Sequence, residues 1–394
     1  MSRLWDKGLP LDERVLRYTA GEDHMLDERL VGYDVKGSIA HAEMLAATEL
    51  ISAEDCAAIC AGLQALEAEF EAGEWSISLE DEDVHTALES RLTHRIGDAG
   101  ARLHLGRSRN DQVLTALRLY LRDGAADLVE RVTNLRSAIG RLAGRQGEIE
   151  LPGYTHMQHA MPSSVALWCG GFDEAFTDAA AGLEAVLRRI GKNPLGSAAG
   201  YGTPGLPLDR EATTRSLGFE TTQTPVTAVQ LSRGKAEASL LFEITLLLSD
   251  LGRMATDLLL FYTQEFAYIS LASDVTTGSS IMPQKRNPDV LELLRAASAT
   301  AHACLDETLM VTAKLQSGYQ RDLQRLKAPL FRGIDLAVDS VDIMAHVLDG
   351  LEFLPDNIEL DEGIFATAEA YRLVRDEGLP FRSAYQQVAK RYSK

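Results

Sequence analysis

Three loops hold most of the residue types in this chain that can move protons and grip anions. The first is Gly106-Arg107-Ser108-Arg109-Asn110-Asp111-Gln112, just ahead of a long helical pattern. A helix N-terminus offers free N–H groups and a positive dipole end, so Arg, Ser and Asn placed there suit a carboxylate. A charged cap whose arginines are merely solvated fits the same residues. The second is Pro152-Gly-Tyr-Thr-His-Met-Gln-His-Ala-Met-Pro162, a proline-bracketed turn in which His156, beside Thr155, can act as acid or base near neutral pH. A lone His is more often structural. The third is Gly278-Ser-Ser-Ile-Met-Pro-Gln-Lys-Arg-Asn-Pro288: small mobile residues first, then a basic pair, an amide and a helix-starting Pro. Its two prolines exclude a helix or an inner strand. Pooled, the loops supply hydroxyls, an imidazole, cations and amides. That inventory suits proton removal beside a carboxylate, with the resulting dianion held by Lys, Asn and backbone donors.

The elements that position these loops read as helices. Asp34 to Ile51 is apolar-periodic; Ser52 caps the next helix, with Asp55 at its N3 position. Gly73 to Asp81 is a break, and Asp81 to Ile96 is helical again, with Val84, Leu88, Leu92 and Ile96 on one stripe. From Asn110 the scale changes. Leu114, Leu117, Leu121, Leu128, Val132, Leu135, Ile139 and Leu142 mark one long helix, and Val165 to Ile190 a second. A third runs from Leu240 to Phe261, and a fourth from Asp289 to about Gln316. Such lengths mark bundle or coiled-coil helices. The third also carries Leu241, Phe242, Leu246, Leu248, Leu259 and Leu260 outside its main stripe, so it must be covered on more than one side. Self-association through the bundle would do this. No repeat array or β-strand ladder is evident. The expectation is an all-α fold: residues 1–107 an N-terminal helical domain, 108–350 a central long-helix bundle, and 351–394 a short C-terminal helical domain.

Charge and composition exclude other classes. The formal net charge is -19, which argues against a general nucleic-acid or anionic-membrane surface. No apolar run reaches the roughly 18 residues a membrane helix needs. Met1 to Pro10 is charged and lacks the apolar centre of a signal peptide. Cys56 and Cys60 lie one turn apart with no completing ligand, so the four cysteines read as free buried thiols in a reducing, cytoplasmic setting rather than a zinc site. Gly200-Tyr-Gly-Thr-Pro-Gly205 fits a dinucleotide template, but a Pro interrupts it and no strand precedes it. His156 and His159 lack a third His or a carboxylate at ligand spacing, so no metal is expected there.

Taken together and in this order, the three loops resemble those of the fumarase/aspartase superfamily, and the resemblance runs from about Leu4 to the C-terminus. Gln284, between Pro283 and Lys285, narrows it: fumarases and aspartases usually have Gly there, adenylosuccinate lyases Tyr or His. The run Ser108-Arg-Asn-Asp-Gln112 and the stretch Tyr319-Gln-Arg-Asp-Leu-Gln-Arg-Leu-Lys327 are similar to the argininosuccinate lyase family. The resemblance implies an all-helical, cytoplasmic homotetramer with active sites shared between subunits. It implies cleavage of argininosuccinate to arginine and fumarate, without a cofactor. By the same resemblance Ser279 is the base, His156 the acid or its relay, Glu292 the charge partner of His156, and Lys285 and Asn287 the carboxylate holders. Asp27, His85, Ser108, Arg109, Asn110, Thr155, Tyr319, Gln324 and Lys327 match substrate-binding positions. A lyase for another succinyl adduct such as adenylosuccinate, or a catalytically silent tetramer of the kind reused in the lens, are the alternatives.

Departures from the family pattern are visible too. Asp23-His-Met-Leu-Asp27 stands where a Ser-x-x-x-Asp pair is frequent, adding a negative charge at position 23. Leu231-Ser-Arg-Gly-Lys235 replaces a common Ser-Asp-Arg-Asp-Phe stretch. His159 and Met161 stand where Arg and Gln are frequent, and the C-terminal domain reads as shorter than usual.

Overall fold

A computed structural model describes residues 12–392, so the Met1–Pro10 reading lies outside the described residues. The chain is predominantly α-helical. Its principal elements are α1 (Val31–Ala47), α2 (Ala53–Glu71), α3 (Val84–Ile96), α4 (Arg109–Gln146), β1 (Glu150–Thr155), β2 (Gln158–Ser164) and α5 (Val165–Ile190). There follow α6 (Lys235–Phe261), the short strands β3 (Thr277–Gly278) and β4 (Arg286–Asn287), α7 (Asp289–Thr312), α8 (Lys327–Asp349), α9 (Ala366–Glu377) and α10 (Phe381–Tyr392). Among the described residues, no helix is long and apolar enough to cross a membrane.

The chain divides into two compact units, each stitched from three stretches. The first takes the described residues through Leu128, then Gly182–Ile244 and Ala301–Asp335. Its centre is dry, with Leu30, Leu45, Ile59, Leu63, Leu92, Leu103 and Leu117 at 2 % exposure or less. Fully burying each such side chain contributes about 1.5–3 kcal/mol. Ser52 caps α2 by accepting from the Asp55 N–H at 3.0 Å, as its spacing predicts. Arg118 of α4 is buried here, donating to Gln223 Oε1 at 2.6 Å, to Ser232 Oγ at 2.9 Å and to the Lys192 carbonyl. Burial pushes its pKa down to about 10.

The second unit takes Val129–Ala181, Thr245–Thr300 and the described residues from Leu336 onward. Leu247, Leu248, Leu251, Met254 and Leu258 of α6 are fully buried in it, with Phe176 and Phe353. Trp168 Nε1 donates to Asp257 at 3.0 Å, and the Gln146 side chain bonds both the N–H and the carbonyl of Phe353. Ala370, Leu373, Ala384 and Val388 join α9 to α10.

Several expectations need correction. α1 starts at Val31 and ends at Ala47, not Ile51, and α7 ends at Thr312, not near Gln316. α3 starts at Val84, because Asp83 is its N-cap and Asp81 instead closes a turn onto Ser78 at 2.9–3.0 Å. A β-ladder does exist: β1 and β2 pair antiparallel from Glu150↔Ser164 to Thr155↔Gln158. Pro152 faces Pro162, so neither missing N–H disturbs an inner strand of a wider sheet. Of the cysteines, all free, Cys169 and Cys304 are buried but Cys56 and Cys60 are half-exposed. On α6, Leu241 and Leu248 are buried while Phe242 and Leu246 remain 48 % and 46 % exposed.

Candidate active site

The first unit holds a small polar cleft. It is lined by Asp23, Asp83, His85, Arg109, Val113, Arg233, Tyr319, Arg321, Gln324 and Lys327. The sequence-predicted Asp27 lies directly behind it, fully buried. Lys327, at the start of α8, is the pivot: its Nζ donates to Asp27 Oδ1 at 2.5 Å and to Asp23 Oδ2 at 2.9 Å. Burial alone would lower the Lys327 pKa, but the two carboxylates raise it above the usual ammonium value. For Asp23, burial dominates over the attraction of Lys327 and pushes its pKa up to about 6. The other oxygen of Asp27 accepts from the Val84 N–H at 3.3 Å, tying the pivot to the start of α3.

An unusual acidic run, Asp81-Glu82-Asp83, is buried just before α3. Asp83 accepts from the Thr86 N–H and from Thr86 Oγ1, both at 2.9 Å, as an N-cap should. Arg109 answers this run. Its Nη1 lies 3.3 Å from Asp83 and 3.8 Å from Glu82, and its Nη2 donates to Thr86 Oγ1 at 2.8 Å. Burial would raise Asp83, but Arg109 and the neighbouring cations hold it below the usual carboxylate range. The rest of the 106–112 loop is a reciprocal cap: Ser108 Oγ accepts from the Asn110 N–H at 3.3 Å, and Asp111 accepts from the Ser108 N–H at 2.9 Å. The second Asp111 oxygen gathers the N–H groups of Gly196 and Ala198 at 2.9 and 2.7 Å. Burial outweighs these bonds and pushes Asp111 up to about 6.

His85, matched to a site position, is 1 % exposed and pairs through Nδ1 with Asp34 at 3.2 Å; Gln112 Nε2 holds the same carboxylate at 3.0 Å. Burial would lower His85 and raise Asp34, but their mutual charge reverses both directions. The stabilisation from a raised His pKa is complete below about pH 6.5 and is lost as pH rises through the raised value. The stabilisation from a depressed Asp pKa is present above about pH 4 and is lost as pH falls. The His85 imidazole is therefore expected to titrate above about 6.5 when followed by NMR. Titration below that value would remove the charged pair from the account.

Tyr319 and Gln324 complete the cleft. Gln324 Nε2 donates to the carbonyls of Thr19 and Ala20 at 2.9 and 3.1 Å, and Arg321 Nε donates to Gln324 Oε1 at 3.1 Å. The Leu231–Lys235 departure also acquires a place. Gly234 has φ +84°, where an added Cβ would collide with Thr312, and this bend sends Arg233 to the cleft wall beside Glu237, 3.7 Å away. Arg233, Arg321 and Asp83 were missed as cleft residues; Asp23 was visible only as a departure.

The second unit carries the other predicted residues. His156 and Met157 occupy the two central positions of the β1–β2 turn, both with positive φ, 53° and 60°. A two-residue turn with both residues left-handed favours Asn-Gly, so His and Met here hold strain of the kind found at functional sites. Thr155 and His156 are exposed at this tip. Behind them Tyr154 Oη meets His159 Nε2 at 2.9 Å and Tyr268 Oη at 3.3 Å.

The 278–288 loop is closed at its base by β3–β4, by Asn287 Nδ2 donating to the Gly278 carbonyl at 3.4 Å, and by Thr277 Oγ1 donating to Asp289 at 2.5 Å. Ser279 Oγ accepts from the N–H groups of Met282 and Ile281 at 3.2 and 3.4 Å. Lys285 is exposed, and Glu292 stands exposed on the first turn of α7. Among the described residues, no hydrogen bond or ion pair joins His156 to Ser279 or to Glu292. A larger hollow of about 850 Å3 in this unit, between the hairpin and α9–α10, includes none of the predicted residues.

The family profile described as Lyase matches residues 13–302. The chain is 44% identical to the argininosuccinate lyase of Sorangium cellulosum, over 98% of this chain and 90% of that protein. It is 39% identical to the argininosuccinate lyase of Thermotoga neapolitana, over 100% of this chain and 98% of that one. Among solved structures, EDDS lyase in complex with formate superposes with a TM-score of 0.83 at 26% identity, covering 97% of this chain and 76% of that one. The chain belongs to the lyase family of the fumarase/aspartase superfamily.

Proposed function

We propose that this carbon–nitrogen lyase cleaves argininosuccinate to arginine and fumarate. The observation that carries the reading is the near-full-length match to argininosuccinate lyases, together with the motifs at 108–112, 284 and 319–327. Ser279 removes the Cβ proton of the succinyl group. That carbon acid is weak, and the base must be an anionic oxygen to take its proton. The two backbone N–H groups on Ser279 Oγ favour the deprotonated form, which supports the assignment. The electron pair left on Cβ spreads into the adjacent carboxylate as a dianion, which Lys285 and Asn287 hold. It returns to form the fumarate double bond as the C–N bond breaks, and the departing guanidino nitrogen takes a proton from His156, directly or by relay, with Glu292 as charge partner. Thr155, Ser108, Arg109 and Asn110 take carboxylate- and substrate-binding positions, Tyr319, Gln324 and Lys327 take the arginine moiety, and Asp27 and His85 are further positions of the site.

In this reading the enzyme is a cytoplasmic homotetramer whose active sites draw loops from different subunits. Leu167, Leu293 and Met310, exposed by 68–74 % on long helices, are surfaces such an assembly would cover. Purified protein supplied with argininosuccinate and, separately, with adenylosuccinate is expected to release fumarate, read by ultraviolet absorbance, only from the first. Release from adenylosuccinate alone would reassign the substrate.

A further inference from the structure

His156 is exposed on a turn that its own residue types do not favour, so the backbone beneath it sets its place. Left-handed backbone at His156 and Met157 persists only where neighbouring structure over-determines it. That support lies one step back along the hairpin. Gly153 pairs with Met161, yet Tyr154 pairs with His159, so Ala160 is an extra residue bulged out of the ladder. A Cβ on Gly153 would lie 2.8 Å from the Met161 carbonyl oxygen, so a glycine lets the strands close up there. Without the bulge Tyr154 would face Ala160. With it, Tyr154 faces an imidazole.

The pair so formed ties the tip to the core of its unit. Tyr154 Oη bonds His159 Nε2 at 2.9 Å, with the two rings edge to face and their centroids 5.0 Å apart. The same hydroxyl meets Tyr268 Oη at 3.3 Å, and the Tyr154 ring packs edge-on against Phe266 at 6.5 Å. Tyr268 is 5 % exposed and is fixed by its backbone: its N–H donates to the Phe261 carbonyl and its carbonyl accepts from the Leu354 N–H, both at 2.8 Å. The His159 imidazole can accept from the hydroxyl when neutral and donate to it when protonated, which the Arg frequent at this position could not do. We infer that Tyr154 and His159 are positioning residues that brace the hairpin and so hold His156 where the departing nitrogen needs a proton. The inference rests on reading His156 as the acid or its relay.

The test compares the full-length protein with Tyr154→Phe and His159→Leu, by hydrogen exchange across residues 153–161 and by turnover of argininosuccinate. Hairpin exchange is expected to quicken about fivefold in both variants, the contribution of one net hydrogen bond. Turnover is expected to fall by on the order of ten- to a hundredfold, as misplacing a reacting group does. Placed in a His156→Ala background, the same changes should cost no further turnover, because groups that act through one residue are not additive. His159→Gln, whose amide can still bond the hydroxyl, is expected to keep most of the turnover. An equal loss with and without His156 would overturn the inference, since a general support of the fold weakens both backgrounds alike. If fumarate is released but hairpin exchange does not change in either variant, the inference falls and the proposed reaction stands. If exchange quickens but the unaltered protein never cleaves argininosuccinate, the reaction falls and the brace stands.

Discussion

Replacing Ser279 with Ala is expected to lower kcat by about 10³-fold, within the range that a positioned proton-transfer group contributes. Substrate affinity should change little, because the side chain removed is a hydroxyl at the mouth of a partly exposed loop. The fold should survive as well. Ser279 Oγ accepts only the long contacts from Ile281 and Met282, and the loop base is held independently by β3–β4 and by the Asn287 and Thr277 side chains. The combination separates chemistry from architecture: circular dichroism and thermal melting unchanged, steady-state turnover nearly gone. A variant with near-normal kcat would remove Ser279 from the role of base.

The second large effect is on stability. Lys327→Met deletes the ammonium that serves two buried carboxylates, Asp23 and Asp27. Breaking a buried ion pair by removing one partner costs roughly 3–5 kcal/mol, because the remaining charge has neither water nor counter-ion. Thermal melting is the measurement, and its pH dependence supplies an internal check. With the ammonium gone, Asp23 loses the attraction that opposes its burial, so its folded-state pKa stays raised. The destabilisation should therefore shrink as pH falls and Asp23 takes up a proton. A melting temperature equal to that of the unaltered protein would mean that Lys327 is not the pivot of the cleft.

Much of this fold was legible because its helices are long and their apolar residues recur on one stripe. Ser52 with Asp55, and the start and end of α5, follow directly from cap chemistry and spacing. The β1–β2 hairpin was not legible. Its strands lack a clean alternation, carry prolines that face each other, and turn through His156-Met157 rather than a sequence typical of a tight turn. The late start of α3 reflects local capping by Asp83, which competes with apolar periodicity.

The candidate site was legible as residue types and illegible as partners. Lys327 was singled out in the sequence, yet its partner Asp23 lies 304 positions away, and no local pattern joins them. Arg109 was read as a group for a substrate carboxylate. The fold shows it already engaged by Asp83 and Thr86, because the buried acidic run before α3 needs a counter-charge. Ser108 and Asp111, read within the same motif, secure the start of α4. Arg233 could not have been found from composition, since it depends on the bend at Gly234.

The central claim is the reaction itself, and proton NMR of the product mixture tests it most directly. Protein incubated with argininosuccinate is expected to give arginine and fumarate in equal amounts, the vinyl signal of fumarate growing as the succinyl signals decline. Unchanged argininosuccinate at saturating concentration, with the protein folded, would contradict the account.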